Sequence, residues 1–379
     1  MARVFAPIRS LTAFSRGAPP ALLASASAVT FLFGATPFLI PEVADRFGVG
    51  RGTAGWLSMI QVGAFAVTTV VIPRLLQPRP WIFRLSLVVL MSANVAAAFV
   101  PDFSWLLLTR MFSGTATGAL TWLAWAAAMD SRQSLMTMSA IGPMAALVGA
   151  PVVGLLIGFG DRVVFLAAAV VAVPVLFLRL PRFAPRPKPG ERSRSRSNRV
   201  LLGALFLLTC AGAGLFVYLT VVAVDVIGIS PFAASIGFSL NAAAGFVGAR
   251  LAGTHSRPGL WLATIGPAAF LTVVGGSAIW FYLGLVWWGF AFWMGVPGVL
   301  EMLAARSLRP DERAGDAQGL MAFGRSLGPG LGGVFVDGGA FAGLAVAAGV
   351  GLTLSGLIVV GVQEGREALP PTDVRTVEG

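Results

Sequence analysis

The chain has 379 residues, of which 56% are hydrophobic and only 11% charged, with a formal net charge of +11 and a mean hydropathy of +0.84. A water-soluble chain carries roughly twice that charged fraction, so this composition excludes an ordinary soluble domain. A single Cys (Cys210) and a single His (His255) exclude a disulfide scaffold and a multi-ligand zinc site, and the lack of a G-x-x-x-x-G-K-[ST] loop excludes a self-contained ATP-driven pump.

A charged side chain at a bilayer centre costs about 2.5–3.5 kcal/mol, so uncharged intervals of roughly 17–25 residues predict membrane spans. The intervals between Arg16 and Glu42, Arg51 and Arg74, and Arg84 and Asp102 predict the first three. Residues 105–128, which include Arg110, predict the fourth, 133–160 the fifth and 163–178 the sixth. Residues 200–224 and 226–249 predict the seventh and eighth. The uncharged run 258–300 is about two spans long and divides at Gly275-Gly276-Ser277, since glycine is a poor helix former. Residues 315–336 and 340–362 complete twelve. The intervals are continuous rather than alternating, so they are helices and not the ten-residue strands of a membrane barrel.

Twelve spans put both termini on one side. Every Lys and Arg falls on that side except Arg46, Arg51 and Arg162 in the opposite loops and Arg110 and Arg325 within spans. Positive loops stay inside, so both termini are expected in the cytoplasm and the protein in the cell membrane. The same bias accounts for the net charge. The Arg192-Ser193-Arg194-Ser195-Arg196 run is expected to be a solvated loop near lipid headgroups rather than a nucleic-acid tail. The expected organisation is a cytoplasmic tail (1–20) ahead of a retained first span, a six-helix bundle (21–180), a cytoplasmic linker rich in proline (181–199), a second six-helix bundle (200–363) and a cytoplasmic tail (364–379).

The two halves echo each other. In the fifth span Gly149-Ala150-Pro151-Val152-Val153-Gly154 is followed by Gly158, and the eleventh holds Gly328-Pro329-Gly330-Leu331-Gly332-Gly333. Small residues four apart let backbones approach, and the prolines favour kinks. These motifs, the first-span ending Pro41-Glu42-Val43-Ala44-Asp45-Arg46-Phe47-Gly48-Val49, and Arg110 followed by Gly114 and Gly118 stand in the order found in a known family. From about residue 21 to 363 the chain resembles the major facilitator superfamily, and within it the bacterial drug:proton antiporters of the arabinose and multidrug efflux type. The resemblance implies an all-α integral membrane fold of two pseudo-symmetric six-helix bundles, alternating access, a small-molecule substrate, protons as the coupling partner, no cofactor, no enzymatic activity and a monomer. One departure stands out. The family's loop between helices two and three reads Gly-x-x-x-Asp-Arg-x-Gly-Arg-Arg, whereas residues 73–80 here keep Arg74 and Arg79 but lack the Gly and the Asp that helps latch the cytoplasmic side; residues 248–253 are a similarly reduced copy.

Intramembrane ionisable groups are functional candidates by default. Arg110 shares an arc of about 80° with Gly114, Gly118, Thr121 and Trp125, with Trp122 at its edge, and the resemblance places that helix on the central cavity. It either offers a cation and an aromatic plate to a ligand or snorkels outward. Arg325 lies deeper, on a face with Gln318, Met321 and Gly332, and is either a substrate or coupling residue or a structural Arg bonded to carbonyls or to Glu301. Glu42, Asp225 and Asp337 end spans on the outer side, Asp130 on the inner side, and Asp316 begins the eleventh helix, which leaves Glu301 as the proton-site candidate. Gln61, Asn94 and Asn241 can bond a substrate or a neighbouring helix. Trp287, Trp288 and Trp293 surround the tenth span, Trp81, Trp105, Trp261 and Trp280 anchor span ends, and Cys210 fills core. With two arginines and no deep carboxylate, a neutral or anionic amphipathic compound is expected, exported against protons. An importer or uniporter of a sugar or organic anion is the alternative on the same fold. A membrane-embedded transferase is the alternative of another class, and His255 lacks the acid partner it would need.

Overall fold

A computed structural model describes residues 19–128, 132–180, 183, 196–252, 257–305 and 310–367. His255, Asp130, both tails beyond these limits and nearly all of the linker lie outside the described residues, as does the side chain of Asp316. The described residues form twelve long helices and no strand. In chain order these are α1 (Pro20–Phe47), α2 (Trp56–Leu75, preceded by the one-turn helix Arg51–Ala54), α3 (Pro80–Phe99), α4 (Phe103–Ala128), α5 (Arg132–Leu156), α6 (Asp161–Phe177), α7 (Arg196–Phe216), α8 (Pro231–Leu251), α9 (Pro258–Val274), α10 (Ala278–Ala305), α11 (Pro310–Asp337) and α12 (Phe341–Glu367). Odd-numbered helices run from the face where α1 begins and α12 ends, here the terminal face, to the opposite, distal face.

The boundaries follow from local chemistry. Proline opens α1, α3, α8 and α9 within their first turn, where its missing N–H costs nothing. Ser230 caps α8 by accepting from the Ala233 amide at 3.1 Å. Gly48 ends α1 in the left-handed conformation at φ 64°, a region open to glycine at little cost. Gly276, at φ 63°, turns the chain between α9 and α10 at the expected break. Past α7 the chain continues through Leu219–Val221 into a π-turn, Val222–Ile227, closed by Gly228.

Helix packing repeats with an offset of six. In the first half α1 packs on α5 and α6, α2 on α4, and α3 on α4 and α6; in the second, α7 packs on α11 and α12, α8 on α10, and α9 on α10 and α12. The closest approaches repeat too. A Cβ at Gly114 of α4 would strike the Gln61 carbonyl of α2, and one at Gly289 of α10 would strike the Asn241 carbonyl of α8. In lipid no hydrophobic force drives helices together, so small residues that bring backbones into van der Waals contact hold them. The halves join along two seams that are images of each other, α2 against α11 and α5 against α8. Large apolar side chains such as Val67, Phe99, Phe159, Phe177, Ile279 and Val334 are exposed on the outside of the bundle, where a membrane protein meets lipid tails.

The glycines expected to pack separate into different roles. Gly328 and Gly332 lie on the backbone of α7 at Cys210 and Gly214, Gly333 lies against Gly52 and Tyr218, and Gly154 faces Ser235 of α8 across the second seam. Gly149 makes only ordinary contact with Phe31 at 3.6 Å. Gly158 departs from expectation: nothing lies within 4 Å of where its side chain would start, because α5 has passed into a 3-10 turn at Ile157–Phe159 that carries it away from a neighbour. Pro151 and Pro329 lie inside α5 and α11 respectively.

Candidate functional site

The space between the halves is closed at the distal face by a clasp built from both. Asp337, the last residue of α11, accepts hydrogen bonds from the amides of Gly52 (2.6 Å) and Thr53 (2.9 Å) and from the Thr53 hydroxyl (2.9 Å). It therefore caps the N-terminus of a helix in the other half, where unpaired N–H groups and the helix dipole both favour an anion. Arg51 beside it donates to Asp225 of the second half (3.0 Å), to Asp45 (3.1 Å) and to the Pro41 carbonyl (2.8 Å). The Tyr218 hydroxyl is buried 2.7 Å from the Pro329 carbonyl and 3.0 Å from the Gly52 carbonyl, tying α7, α11 and the start of α2 together. Arg46 stays within the first half, where it pairs with Asp161 at 2.8 Å and donates to the last carbonyls of α3 at Ala97, Ala98 and Val100. At mid-seam, Ser326 donates to the Met59 carbonyl (2.9 Å) and Ser239 to the Leu147 carbonyl (2.9 Å).

Closure does not extend along the whole of α11. This helix turns Gly324, Gly328 and Gly332 to α7, and Ser326, Gly330 and Gly333 to the first half. Leu320, Phe323, Leu331 and Val334 form its lipid-facing arc and are exposed. Arg325 points at least roughly 120° away from each of those four, between the α7 and α2 contacts, and yet its side chain is exposed. Gln318, two turns nearer the terminal face on the same stripe, is exposed as well, whereas Pro329 and Val336 on the distal side are buried. On the inward stripe of α11, Gln318 and Arg325 are thus exposed, with Met321 buried between them, and the positions past Arg325 are sealed. Among the described residues the Arg325 guanidinium has no hydrogen-bond or ion-pair partner. Glu301 does not supply one: it is exposed in the last turns of α10, five turns beyond the exposed Leu283 on the same stripe.

Arg110 is placed differently. It is fully buried within the first half, with Nη1 3.1 Å from Asn94 Oδ1, Nη2 3.4 Å from the Ala93 carbonyl and the guanidinium carbon 4.7 Å from the centre of the Phe165 ring. Its neighbours are thus α3 and α6, not the second half. Of the stripe expected to accompany it, Gly114 and Gly118 pack on α2. Thr121 and Trp125 line a cavity of about 30 Å³ with Ser25 and Val29 of α1 and Met138 of α5; that volume holds a water or two. Trp122 is buried, and its indole N–H, the Ser113 hydroxyl and both amide atoms of Gln61 have no partner among the described residues. Asn241 donates to the Leu285 carbonyl at 2.8 Å, the helix-to-helix use expected of most such residues. Trp288 packs edge-on to Phe216, while Trp287 faces out and donates to the Thr264 hydroxyl.

Sequence reasoning passed over Tyr218, Arg51 and the role of Asp337. One signal was available: the chain holds only two tyrosines, and a phenol within an apolar span needs an acceptor.

Comparison with known proteins gives a consistent picture. Residues 21–333 match the family model of the Major Facilitator Superfamily. The uncharacterized MFS-type transporter YbcL of Bacillus subtilis (strain 168) is 25% identical over 342 residues, 82% of this chain and 87% of the relative. Among solved structures, a bacterial homologue of the human lysosomal transporter Spinster, inward-facing and occupied, superposes with a TM-score of 0.71 at 14% identity, over 92% of this chain and 97% of the other. The human organic anion transporter MFSD10 (TETRAN) superposes with a TM-score of 0.62 at 19% identity, over 89% and 97%.

Proposed function

The chain belongs to the Major Facilitator Superfamily and is a multi-pass membrane transporter, and we propose that it exports a small amphipathic organic compound from the cell by alternating access coupled to protons. The observation that carries this reading is the asymmetry of the inter-half space. Clasped at the distal face by Asp337, Arg51 and Tyr218, with Gln318 and Arg325 exposed on the side toward the terminal face, it supports one of the two states that such a cycle needs. With both termini in the cytoplasm, as the arginine distribution favours, this is the cytoplasm-facing state, which takes up cargo for export.

To release cargo outside, the halves rock about the two seams until the clasp parts. A ligand drives that change only by binding the two states unequally. The mid-seam bonds from Ser326 and Ser239 go to carbonyls rather than to fixed side-chain partners, which allows the pairs to slide. Coupling needs a carboxylate that takes a proton from outside in one state and gives it up to the cytoplasm in the other. The clasp itself holds Asp45, Asp225 and Asp337, with Glu42 beside them, and Glu301 stands at the other end of the bundle.

The reading is tested in proteoliposomes of known orientation, with a compound first found by growth protection of an overexpressing strain. An imposed proton gradient should drive the compound in the direction opposite to proton flow, and a protonophore should abolish that drive. Movement down its own gradient regardless of pH would instead identify a uniporter, and movement with the protons an importer.

A further inference from the structure

We infer that Arg325 sets the charge of the cargo: the inter-half site takes an organic compound bearing one anionic group, a carboxylate or sulfonate, which the guanidinium holds at mid-membrane. The inference rests on the transport reading above and names its substrate class.

Arg325 lies about 18 Å along α11 from Asp337 and about 22 Å from Pro310 at 1.5 Å per residue, near the middle of a hydrocarbon layer of about 30 Å. Neither end is close enough for snorkelling, and the side chain points away from the lipid arc of its helix. A cation at this depth is tolerated only where it is paired or faces water between the helices. Among the described side chains every carboxylate stands at or near a helix end, and Asp311, Glu312 and Asp316 occupy the first two turns of α11, at least about 13 Å below Arg325. No described group balances it. Arg110 is the internal control, since it too lies within a span but is sealed from solvent and satisfied by Asn94, a carbonyl and the Phe165 ring. One arginine is built into its surroundings; the other is left open where cargo passes. A guanidinium presents a planar fork of donors that matches a carboxylate or sulfonate in two parallel hydrogen bonds. Gln318 on the same stripe adds an amide toward the terminal face.

The experiment uses matched sets of an aryl carboxylate, its methyl ester and the corresponding aminomethyl compound on several scaffolds, assayed with the full chain. Transport is measured in zwitterionic vesicles, so that no anionic headgroup competes, and binding by tryptophan quenching of the detergent-solubilised protein. The acid is expected to move at least 10-fold faster than ester or amine. Arg325→Gln should abolish the preference for the acid over the ester, and Arg325→Lys should retain part of it. Sets transported without regard to charge, or acid transport that survives Arg325→Gln, would overturn the anion site while the transport reading stands. Arg325-dependent binding of the acid without transport would do the reverse, and neither binding nor transport of any member would overturn both.

Discussion

Removing the Asp337 carboxylate is the most direct perturbation of the distal clasp. In Asp337→Ala the amides of Gly52 and Thr53 and the Thr53 hydroxyl lose their acceptor. Hydrogen bonds to a charged group are each worth about 1.5–3 kcal/mol when buried, but Thr53 stands at the surface, and substituting a helix N-cap costs about 0.5–2 kcal/mol. Taking about 1–2 kcal/mol for the ensemble, the distally open population rises by a factor of about 5–30. The assay replaces Cys210, the sole cysteine, with alanine and places a reporter by Ser326→Cys, since Ser326 is only 5% exposed and bonds across the seam to Met59. An impermeant maleimide added from the distal face then labels in proportion to opening. Asp337→Ala should raise the labelling rate by that factor, with Asp337→Asn between it and the parent. Labelling that stays within twofold of the parent, in protein that still folds, would refute the assignment of Asp337 as a clasp.

Tyr218→Phe removes a hydroxyl shared between the Pro329 and Gly52 carbonyls and should weaken the same closure by about 0.5–1.5 kcal/mol, read as faster labelling at position 326. Asn94→Leu removes the side-chain acceptor of the buried Arg110 guanidinium and should lower stability by about 1.5–3 kcal/mol. In thermal denaturation of detergent-solubilised protein, Asn94→Leu/Arg110→Met should then melt above Asn94→Leu, because the stranded charge has gone. Gly332→Leu drives a side chain into the Gly214 backbone and should abolish folded protein on size-exclusion chromatography, whereas Gly158→Leu meets open space and should change the melting temperature little.

The spans were legible because charge is so costly in lipid that its absence marks the membrane. The break at Gly275-Gly276-Ser277 became the α9–α10 turn, with Gly276 at positive φ, and the interval 163–178 became Asp161–Phe177. The first span overran its interval: α1 continues past Glu42 and Asp45 to Phe47, since Arg46 finds Asp161 and three carbonyls there and a satisfied charge does not end a helix. Length and hydropathy alone pick out eight spans among the described residues and miss four: α6 and α9, which are short at 17 residues each, and the long helices α4 and α11. Those two spend apolar positions on Gly, Ser, Thr and Arg for packing and for the site. The two deep arginines could not be ranked from sequence. A helical wheel gives the angle between Arg110 and Gly114 but not which neighbour stands at that angle, and here the glycine meets α2 while the guanidinium meets α3 and α6. Asp337 looked like the end of its own helix, and a carboxylate that caps a helix 284 residues away in sequence leaves no local pattern to read.

One half of the clasp is written in main chain. Asp337 is received by the peptide N–H groups of residues 52 and 53, which nearly every amino acid at those positions would also offer. The strength of the closure can therefore drift mainly on the α11 side, while its main-chain receptor yields only to proline and to whatever bulk Gly52 cannot admit beside Gly333, and the receptor's one side-chain donor is the Thr53 hydroxyl. Charge-reversal pairs, the usual means of repairing a broken ionic contact, have nothing to act on here. Revertants of an Asp337 variant should arise either at that codon or at the neighbouring Arg51–Asp225 bridge, where both partners are side chains and evolution has two handles instead of one.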